Sequence, residues 1–281
     1  MVIAVLPNLD KRGATEVVEK LGTLLKKEGV KAYLPDTICS SNYEHAPEDE
    51  LYSLADVIIT VGGDGTIIRY AKRAALDDKP VLSINAGRMG YLADIEQNEL
   101  HLISKLIRGE YRVEKRMMLD VSVYENGNLM GNYSALNDAV ITSGFISRII
   151  DISVAVDKDA INYRADGLIV STPTGSTAYS MSAGGPIIDP STENICITPI
   201  CSHSLSAKPI LMSANTTLSL KSFSKKRAEI YLTVDGRKVA NVKPFNEIKI
   251  TKSNNAVKLI RLSDRSFYKT MSVKFRDSRS V

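Results

Sequence analysis

The sequence has little cysteine, little excess charge and no long apolar run, and each shortage limits what the chain can be. Its 281 residues include three cysteines, Cys39, Cys196 and Cys201, an odd and sparse set. Because no second ligand pair accompanies them, we expect free thiols in a reducing compartment, the cytoplasm, rather than a zinc site. No apolar run approaches the roughly 18 residues of a membrane helix. Residues 1–6 are typical of a strand and not of a secretory signal.

The charge balance argues against a nucleic-acid partner. The formal net charge is +4, which is small but suits an anionic small molecule. Basic residues cluster at Lys225-Lys226-Arg227 and in the tail from Lys269 to Arg279, and we interpret both clusters as solvated surface. The hydrophobic share of 44% and the charged share of 24% are those of an ordinary globular protein. We therefore expect neither nucleic acid nor a membrane among its partners.

The chain is predicted to form two domains, an α/β domain followed by an all-β domain. Residues 1–110 alternate apolar strands with segments of helical spacing, which predicts a doubly wound parallel sheet with helices on both faces. Residues 111–262 contain short β-rich runs separated by turn sequences, which predicts an antiparallel β-sandwich or a pair of packed sheets. Residues 263–281 include a helical segment that we expect to return to the first domain.

Individual elements follow from the same patterns. Strands are expected at residues 2–6, 30–34, 57–61, 81–84, 139–142, 168–171, 218–221, 230–234, 239–242, 248–251 and 257–262. Helical spacing is present in residues 17–25, 67–75, 100–107 and 266–275. Turns are expected at Asn126-Gly127, Asp157-Lys158-Asp159, Asp235-Gly236 and Asn254-Asn255.

A glycine-rich stretch, Gly62-Gly63-Asp64-Gly65-Thr66, follows a predicted buried strand and opens a predicted helix. Backbone N–H groups at a helix start attract phosphate, and glycines let phosphate oxygens approach or allow positive φ. In an open α/β sheet this loop lies at the carboxyl end of a strand, where ligands collect. It matches neither the G-x-x-x-x-G-K-[ST] loop nor G-x-G-x-x-G.

Asp64 is unexpected in such a loop because its negative charge repels phosphate. One interpretation is structural, with the carboxylate capping the helix. The other is catalytic: Asp64 coordinates Mg²⁺ or accepts a proton from an attacking hydroxyl, and both steps belong to phosphoryl transfer. In the second interpretation the glycine N–H groups face the donor phosphates and Asp64 faces the acceptor.

Other stretches carry candidate ligand groups. Residues 85–92 follow a strand and contain glycines, which fits a second tight loop in the same crevice or a plain connection. Asn137-Asp138 either pairs with adenine and ribose hydroxyls or is an ordinary turn. Residues 163–187 are rich in uncharged hydroxyls and glycine, which suits a ribose and a base edge, with Tyr179 as a stacking face, although a surface loop has similar composition. His203 is expected to be structural or buried rather than catalytic.

Taken in order, these stretches resemble the NAD kinase family. The resemblance spans most of the chain and rests on Gly62-Gly63-Asp64-Gly65-Thr66 with Arg69, Asn85–Leu92, Asn137-Asp138, Arg164-Ala165-Asp166-Gly167, Thr174-Gly175-Ser176-Thr177-Ala178-Tyr179, Pro199–Pro209 and Val234-Asp235-Gly236. The first motif is shared with phosphofructokinases and with diacylglycerol and sphingosine kinases, whereas the Thr174–Tyr179 run is more specific. The family's fold, an α/β nucleotide domain, a β-rich domain and a returning C-terminal segment, agrees with the pattern above.

The resemblance implies that the γ-phosphate of ATP, with Mg²⁺ or another divalent metal, is transferred to the 2′-hydroxyl of the adenosine ribose of NAD, giving NADP. It implies Asp64 as the proton acceptor. It also implies nucleotide contacts at Gly62, Gly63, Asp64, Gly65, Arg69, Asn137, Asp138, Arg148, Arg164, Asp166, Thr174, Thr177, Ala178, Tyr179 and Ser182. Some of these contacts would cross the subunit interface of a homodimer or homotetramer.

The sequence departs from the family pattern at a few positions. Arg237 stands where Gln is frequent, Lys208 where Arg is frequent, and Tyr91 where Phe is frequent. Two alternative functions remain at this point. A lipid kinase sharing the glycine loop would need a membrane-facing apolar or amphipathic surface, which the sequence does not show. A non-catalytic dinucleotide-binding regulator would use the same residues as an enzyme.

Overall fold

The structure is a computed structural model, and it describes residues 1–87, 90–144, 149–204, 206–223, 229–244 and 246–277. Arg148 and the basic cluster at 225–227 lie outside the described residues. The chain divides into two compact units, the first formed by Met1–Lys115 with Asn255–Val281 and the second by Arg116–Asn254. The first domain was predicted to end at residue 110 and to resume after residue 262. The first unit ends at Lys115 and resumes after Asn254.

The first unit is built on a parallel sheet. Its elements before the second unit begins are β1 (Val2–Pro7), α1 (Ala14–Lys27), β2 (Lys31–Pro35), β3 (Glu44–Ala46), α2 (Glu48–Leu54), β4 (Val57–Gly62), α3 (Asp64–Leu76), β5 (Pro80–Asn85), β6 (Ile95–Glu96), a 3₁₀ helix (Gln97–Leu102) and α4 (Ile103–Ile107). Parallel pairing orders the strands β3-β2-β1-β4-β5, and β6 pairs with the carboxyl end of β5. Every residue of β4 is buried, as expected for a central parallel strand with both faces covered.

Apolar side chains of the strands and helices are buried together in this unit. Ile59 of β4 belongs to one apolar cluster together with Val17 and Leu21 of α1. Ile67 and Ala71, one helical turn apart, lie on the buried face of α3. Sequence periodicity predicted these helices, but it did not predict the short β3 and α2.

The second unit is an antiparallel β-sandwich. Its elements are β7 (Arg112–Glu125), β8 (Asn128–Ala135), β9 (Asp138–Ser143), β10 (Ile150–Val156), β11 (Asp159–Ala165), β12 (Gly167–Ser171), a 3₁₀ helix (Thr174–Thr177), α5 (Tyr179–Ser182), β13 (Asn194–Ile200), β14 (Ile210–Ser213), β15 (Leu218–Phe223), β16 (Ile230–Val234), β17 (Arg237–Val242) and β18 (Glu247–Arg261), with the ends of β7 and β18 extending into the first unit. One sheet has the order β14-β13-β12-β9-β16-β17. Facing strands follow the order β11-β10-β15-β18, and β18 also pairs with β7, which pairs with β8. A single apolar cluster contains Leu168 and Ile197 of the first group together with Ile152 and Leu220 of the second.

The turn predictions succeed at three hairpins and fail at one position. Asn126, Asp157 and Asp235 all have the positive φ of tight hairpin turns, at 50°, 53° and 47°. The turn predicted at Asn254-Asn255 is wrong, because β18 runs from Glu247 to Arg261 without a break. Both asparagine side chains are exposed, so extended backbone there buries no polar side chain. The strand predicted at residues 257–262 is therefore the end of β18, and it lies in the first unit.

The C-terminal segment returns to the first unit, as predicted. Lys258 and Leu259 of β18 pair in parallel with the start of β5, and the segment ends in α6 (Phe267–Asp277). Asp94, which is 1% exposed, accepts hydrogen bonds from the Leu262 N–H at 2.7 Å and the Ser263 hydroxyl at 3.1 Å. In the described ranges, no helix combines the length and the apolar character needed to cross a membrane.

Candidate active site

The glycine loop connects β4 directly to α3. A Cβ atom on Gly62 would lie 2.4 Å from the Thr66 Oγ1, so glycine is required there by packing inside the loop. A Cβ on Gly63 or Gly65 would meet nothing within 4 Å, and neither residue has positive φ. The positive φ that the sequence suggested is therefore absent, because Gly63 is extended at φ −99° and the helix starts at the next residue. The two later glycines leave open space beside the helix start.

The carboxylate of Asp64 joins this loop to the second glycine-containing loop. Asp64 is the first residue of α3, and the N-cap is Gly63 without a side-chain hydrogen bond, so the helix-capping interpretation is wrong. Asp64 Oδ2 accepts the Tyr91 N–H at 2.8 Å and Oδ1 accepts the Leu92 N–H at 3.2 Å. A Cβ on Gly90 would lie 1.9 Å from Oδ1. Only glycine at position 90 lets the second loop approach this closely.

Tyr91 lies between the catalytic candidate and the C-terminal helix. Its ring is 5.9 Å from that of Phe267, and the Lys274 Nζ lies 4.7 Å from its centroid. Burial, and secondly the negative charge of Asp64, raise the pKa of the Tyr91 phenol. Within the same unit, α6 thus packs on the residue whose amide orients Asp64.

The base of the second loop is held by a network that the sequence did not reveal. Asn85, which is 1% exposed, donates to Glu96 Oε2 at 2.8 Å and to the Gly87 carbonyl at 3.2 Å. Arg265, from the C-terminal segment, donates to Glu96 at 2.8 Å and to Glu99 at 3.2 Å. The loop is consequently anchored at both ends, although Arg88 and Met89 lie outside the described residues.

Arg69 is placed on α3, beyond the glycine loop. Its NH2 group lies 3.2 Å from Glu48 Oε1, and its guanidinium lies 4.9 Å from the centroid of the Tyr70 ring. The side chain is half exposed. An ion pair with Glu48 thus orients a residue that the resemblance places beside the dinucleotide.

In the second unit, Asn137-Asp138 and the hydroxyl-rich loop are brought together. Asp138 opens β9 and pairs with Ser171, the last residue of β12. The Thr172 N–H donates to the Asn137 carbonyl at 2.9 Å. A Cβ on Gly175 would lie 2.0 Å from that same carbonyl oxygen, so glycine is required for this approach.

The hydroxyls of this loop divide into an internal and an outer set. Ser176 and Ser180 are buried and bond within the protein, Ser176 to the Pro173 carbonyl at 2.7 Å and Ser180 to the Thr198 hydroxyl at 2.9 Å. These two hydroxyls are structural, contrary to the view that the whole loop faces a ligand. The outer positions are Thr177 and Ala178, which are partly buried, and Tyr179 and Ser182, which are exposed.

Thr174 is buried at the start of the same loop. Its Oγ1 accepts a hydrogen bond from NH1 of Arg116 at 3.5 Å, and the Arg116 side chain is itself buried. Arg116 is a site neighbour that sequence reasoning missed, because no motif surrounds it.

Arg164 and Asp166 lie at the opposite end of β12 from this cluster. Asp166 precedes the strand, its N–H donating to the Ile200 carbonyl at 3.0 Å, whereas Thr174 follows the strand. The intervening strand of about five residues spans roughly 16 Å at its usual rise. The two groups of predicted contacts therefore lie at opposite ends of β12. Arg148 lies outside the described residues.

The remaining candidates have simple outcomes. His203 was expected to be structural or buried; it is exposed, so the buried alternative is wrong, and its backbone N–H donates to the Arg164 carbonyl at 2.9 Å. The three cysteines are free thiols, as expected, with Cys39 and Cys201 exposed and Cys196 buried. Burial raises the pKa of the Cys196 thiol.

Among the described residues, no group of three His, Cys, Asp or Glu side chains is placed to hold a metal ion.

A parallel α/β sheet with a glycine loop at a strand's carboxyl end, and an oriented acidic side chain at that loop, fits a nucleotide-dependent phosphotransferase. Comparison with known families specifies which one. Residues 3–111 match the ATP-NAD kinase N-terminal domain and residues 136–262 match the ATP-NAD kinase C-terminal domain. The chain belongs to the NAD kinase family. The predicted family, fold class and NAD kinase activity are confirmed.

Individual relatives agree over nearly the whole length. An NAD kinase of Natranaerobius thermophilus is 37% identical, with 99% of each chain covered, and one of Caldanaerobacter subterraneus is 39% identical, with 95% of each covered. Among solved structures, an NAD kinase from Archaeoglobus fulgidus in complex with ATP has a TM-score of 0.73 at 27% identity, covering 98% of this chain and 99% of that one. Yeast NADH kinase complexed with NADH has a TM-score of 0.86 at 22% identity, covering 97% and 86%, which supports the fold.

Proposed function

We propose that this enzyme transfers the γ-phosphoryl group of ATP to the 2′-hydroxyl of the adenosine ribose of NAD, with Asp64 as the proton acceptor. The 2′-oxygen forms a bond to the γ-phosphorus while the bond from that phosphorus to the bridging oxygen of ADP breaks. The proton of the hydroxyl passes to Asp64, and the products are NADP and ADP. General-base assistance of this kind contributes about 10²–10⁴-fold to the rate.

The observation that carries this proposal is the orientation of Asp64. Two backbone N–H groups, of Tyr91 and Leu92, each bind one oxygen of the carboxylate. A carboxylate oxygen accepts more than one hydrogen bond, so Asp64 keeps acceptor capacity for a substrate hydroxyl. Orientation by backbone amides reduces the reorganisation needed when the hydroxyl reacts.

The donor phosphates would occupy the space beside Gly63 and Gly65. Neither glycine is needed by the surrounding protein, and both lie at the amino end of α3, where the helix dipole and backbone N–H groups favour negative charge. The residues also fit Mg²⁺ carried by ATP, because this ion commonly binds through one or two carboxylates and substrate phosphates rather than through an all-protein cage. Bound to the donor phosphates, the ion would neutralise phosphate charge and leave Asp64 to accept the proton.

The dinucleotide would bind at the cluster in the second unit. Asn137 offers an amide for adenine, and Asp138 offers a carboxylate for ribose hydroxyls. Thr177, Ala178, Tyr179 and Ser182 line the outer side of the adjoining loop, and Thr174 lies buried at its start. The exposed ring of Tyr179 provides a stacking surface for a base or for nicotinamide.

Arg164 and Asp166, together with Arg148, would complete the site of a neighbouring subunit. Their distance along β12 from Thr174 supports this assignment, and with it a homodimer or homotetramer with shared sites. We further place the enzyme in the cytoplasm, because its three cysteines are free thiols.

The direct test of the reaction mixes the purified protein with NAD, ATP and Mg²⁺ and follows NADP with an NADP-specific dehydrogenase. NADP formation that requires both ATP and the protein is the expected result. Reactions lacking ATP serve as controls, and ADP release is followed with a diacylglycerol in place of NAD, where none is expected. NAD binding without NADP formation would contradict the proposal and favour a non-catalytic regulator.

A further inference from the structure

Asp235 reaches from a tight turn to three consecutive backbone N–H groups of a neighbouring segment. It lies in the hairpin turn between β16 and β17, with positive φ at Asp235 and Gly236. Its Oδ1 accepts the N–H of Asn137 at 2.7 Å and of Asp138 at 3.1 Å. Its Oδ2 accepts the N–H of Leu136 at 3.0 Å. The Asp235 N–H donates in return to the Asp138 carbonyl at 2.9 Å.

Thr172 fixes the same segment through its carbonyl groups. Its hydroxyl donates to the Leu136 carbonyl at 2.6 Å, and its N–H donates to the Asn137 carbonyl at 2.9 Å. Together, Asp235 and Thr172 bond every backbone N–H and C=O group of residues 136–138. A segment bonded in this way has little freedom left, so the partly buried Asn137 and the buried Asp138 are attached to a fixed backbone.

We propose that Asp235 is a positioning residue for NAD. It acts through Asn137 and Asp138 and does not itself touch the substrate. This inference rests on the proposed function, in which those two residues hold the adenine and ribose. An ionised carboxylate suits the task because it is acceptor-only and receives several N–H groups at once, whereas an amide presents one acceptor and one donor. Hydrogen bonds to a charged acceptor are also roughly twice as strong as neutral ones.

Asp235→Asn tests the proposal without destroying the turn. Asparagine has nearly the same size and tolerates left-handed backbone, so the hairpin is retained. Its NH₂ group replaces one oxygen and meets a backbone N–H, which displaces residues 136–138. Because a lost hydrogen bond to a charged group weakens binding by roughly 10- to 100-fold, we expect the KM for NAD to rise about 10- to 100-fold. The KM for ATP should change little, and the melting temperature should fall by no more than a few degrees.

Asp157→Asn is the matched control. Asp157 is also an aspartate at positive φ in a hairpin turn of the second unit, between β10 and β11. This variant should leave both KM values unchanged. A change in NAD affinity for Asp235→Asn alone would therefore reflect its contacts with residues 136–138 rather than the loss of a charge in a turn.

Two outcomes would overturn the inference. One is an unchanged KM for NAD in Asp235→Asn. The other is an equal loss for both substrates together with a lower melting temperature, which would mark a purely structural role. Calorimetric NAD binding, measured beside NADP formation, separates this inference from the proposed function. Wild-type protein that binds NAD without forming NADP would refute the reaction. The NAD affinity of Asp235→Asn relative to the wild type would still decide the role of Asp235. Wild-type protein that does not bind NAD would refute both.

Discussion

Gly62, Gly63 and Gly90 look alike in the sequence but lack a side chain for different reasons. Gly62 makes room for Thr66 inside its own loop, and Gly90 makes room for the carboxylate of Asp64. At Gly63 a Cβ would meet nothing in the protein. Glycine there is explained by a ligand approaching the backbone, which is the phosphate of ATP in the proposed reaction.

The variant Gly63→Ala tests whether glycine is required at this position by the protein or by a ligand. The added methyl group has space in the protein, and an alanine N-cap lowers the free energy of unfolding by about 1 kcal/mol. It occupies the position at which phosphate oxygens would approach, so we expect the KM for ATP to rise by roughly tenfold or more, which is about 1.4 kcal/mol of lost binding. Steady-state kinetics with ATP as the varied substrate measures this.

The KM for NAD of the same variant is the control for that substitution, because NAD would bind at the cluster in the second unit. It should change little. An unchanged KM for ATP in Gly63→Ala would remove the donor phosphates from this loop.

Candidate site residues within a short motif could be predicted from the sequence. The residues that form hydrogen bonds with them could not. The glycine loop identifies Asp64 as a candidate because sequence spacing defines the strand, turn and helix. The N–H groups that orient it come from residues 27 and 28 positions away, and those bonded to Asp235 from residues 97 to 99 positions away. Such pairs depend on the packing of whole strands, which no short pattern encodes.

At the scale of elements, α6 connects the end of the chain to the catalytic candidate. Phe267 packs against Tyr91, and the Tyr91 N–H binds Asp64. Arg265, immediately before the helix, holds Glu96 at the end of the same loop. The helix is therefore a support for the second loop as well as part of the first unit.

Phe267→Ala should lower kcat by a few-fold to about tenfold, because an aromatic pair contributes about 0.5–1.5 kcal/mol beyond its buried area. The loss should appear in kcat more than in the KM for NAD, since the loop orients Asp64. Phe275→Ala, which removes an exposed aromatic ring from the same helix, is the control. Equal effects of the two substitutions on kcat would show that α6 does not act through Tyr91.

β18 shows why some element boundaries could not be predicted. Asn254-Asn255 has the composition of a turn, yet pairing with β15 before it and with β5 after it keeps the backbone extended. Tertiary pairing overrides local preference here. The three other predicted turns are correct because each connects two neighbouring antiparallel strands in a hairpin.

At the scale of the whole molecule, Arg164 and Asp166 lie at the opposite end of β12 from the Asn137 cluster. They lie before β12, and the hydroxyl-rich loop lies after it. The family resemblance predicted both groups of residues as nucleotide contacts. The order of residues in the sequence does not predict the distance between the two groups. Shared sites in a homo-oligomer would account for both groups.

Mixing two inactive variants tests for shared sites. If Asp64 of one subunit and Arg164 of another serve the same site, a mixed dimer of Asp64→Asn and Arg164→Ala subunits contains one intact site and one doubly altered site. Denaturing and refolding the two variants together should restore about a quarter of wild-type activity in a randomly mixed dimer. Each variant refolded alone is the control. Activity that stays at the level of the separate variants would show that each site lies within one chain.

The central claim is that Asp64 takes the proton from the ribose hydroxyl, and the kcat of Asp64→Asn tests it most directly. Asparagine keeps one acceptor oxygen for the loop amides but does not act as a base. NADP formation is measured at saturating NAD and ATP, with NAD affinity determined separately by calorimetry. The account predicts a kcat lowered by about 10²–10⁴-fold with NAD affinity retained. A kcat equal to that of the wild type would contradict it.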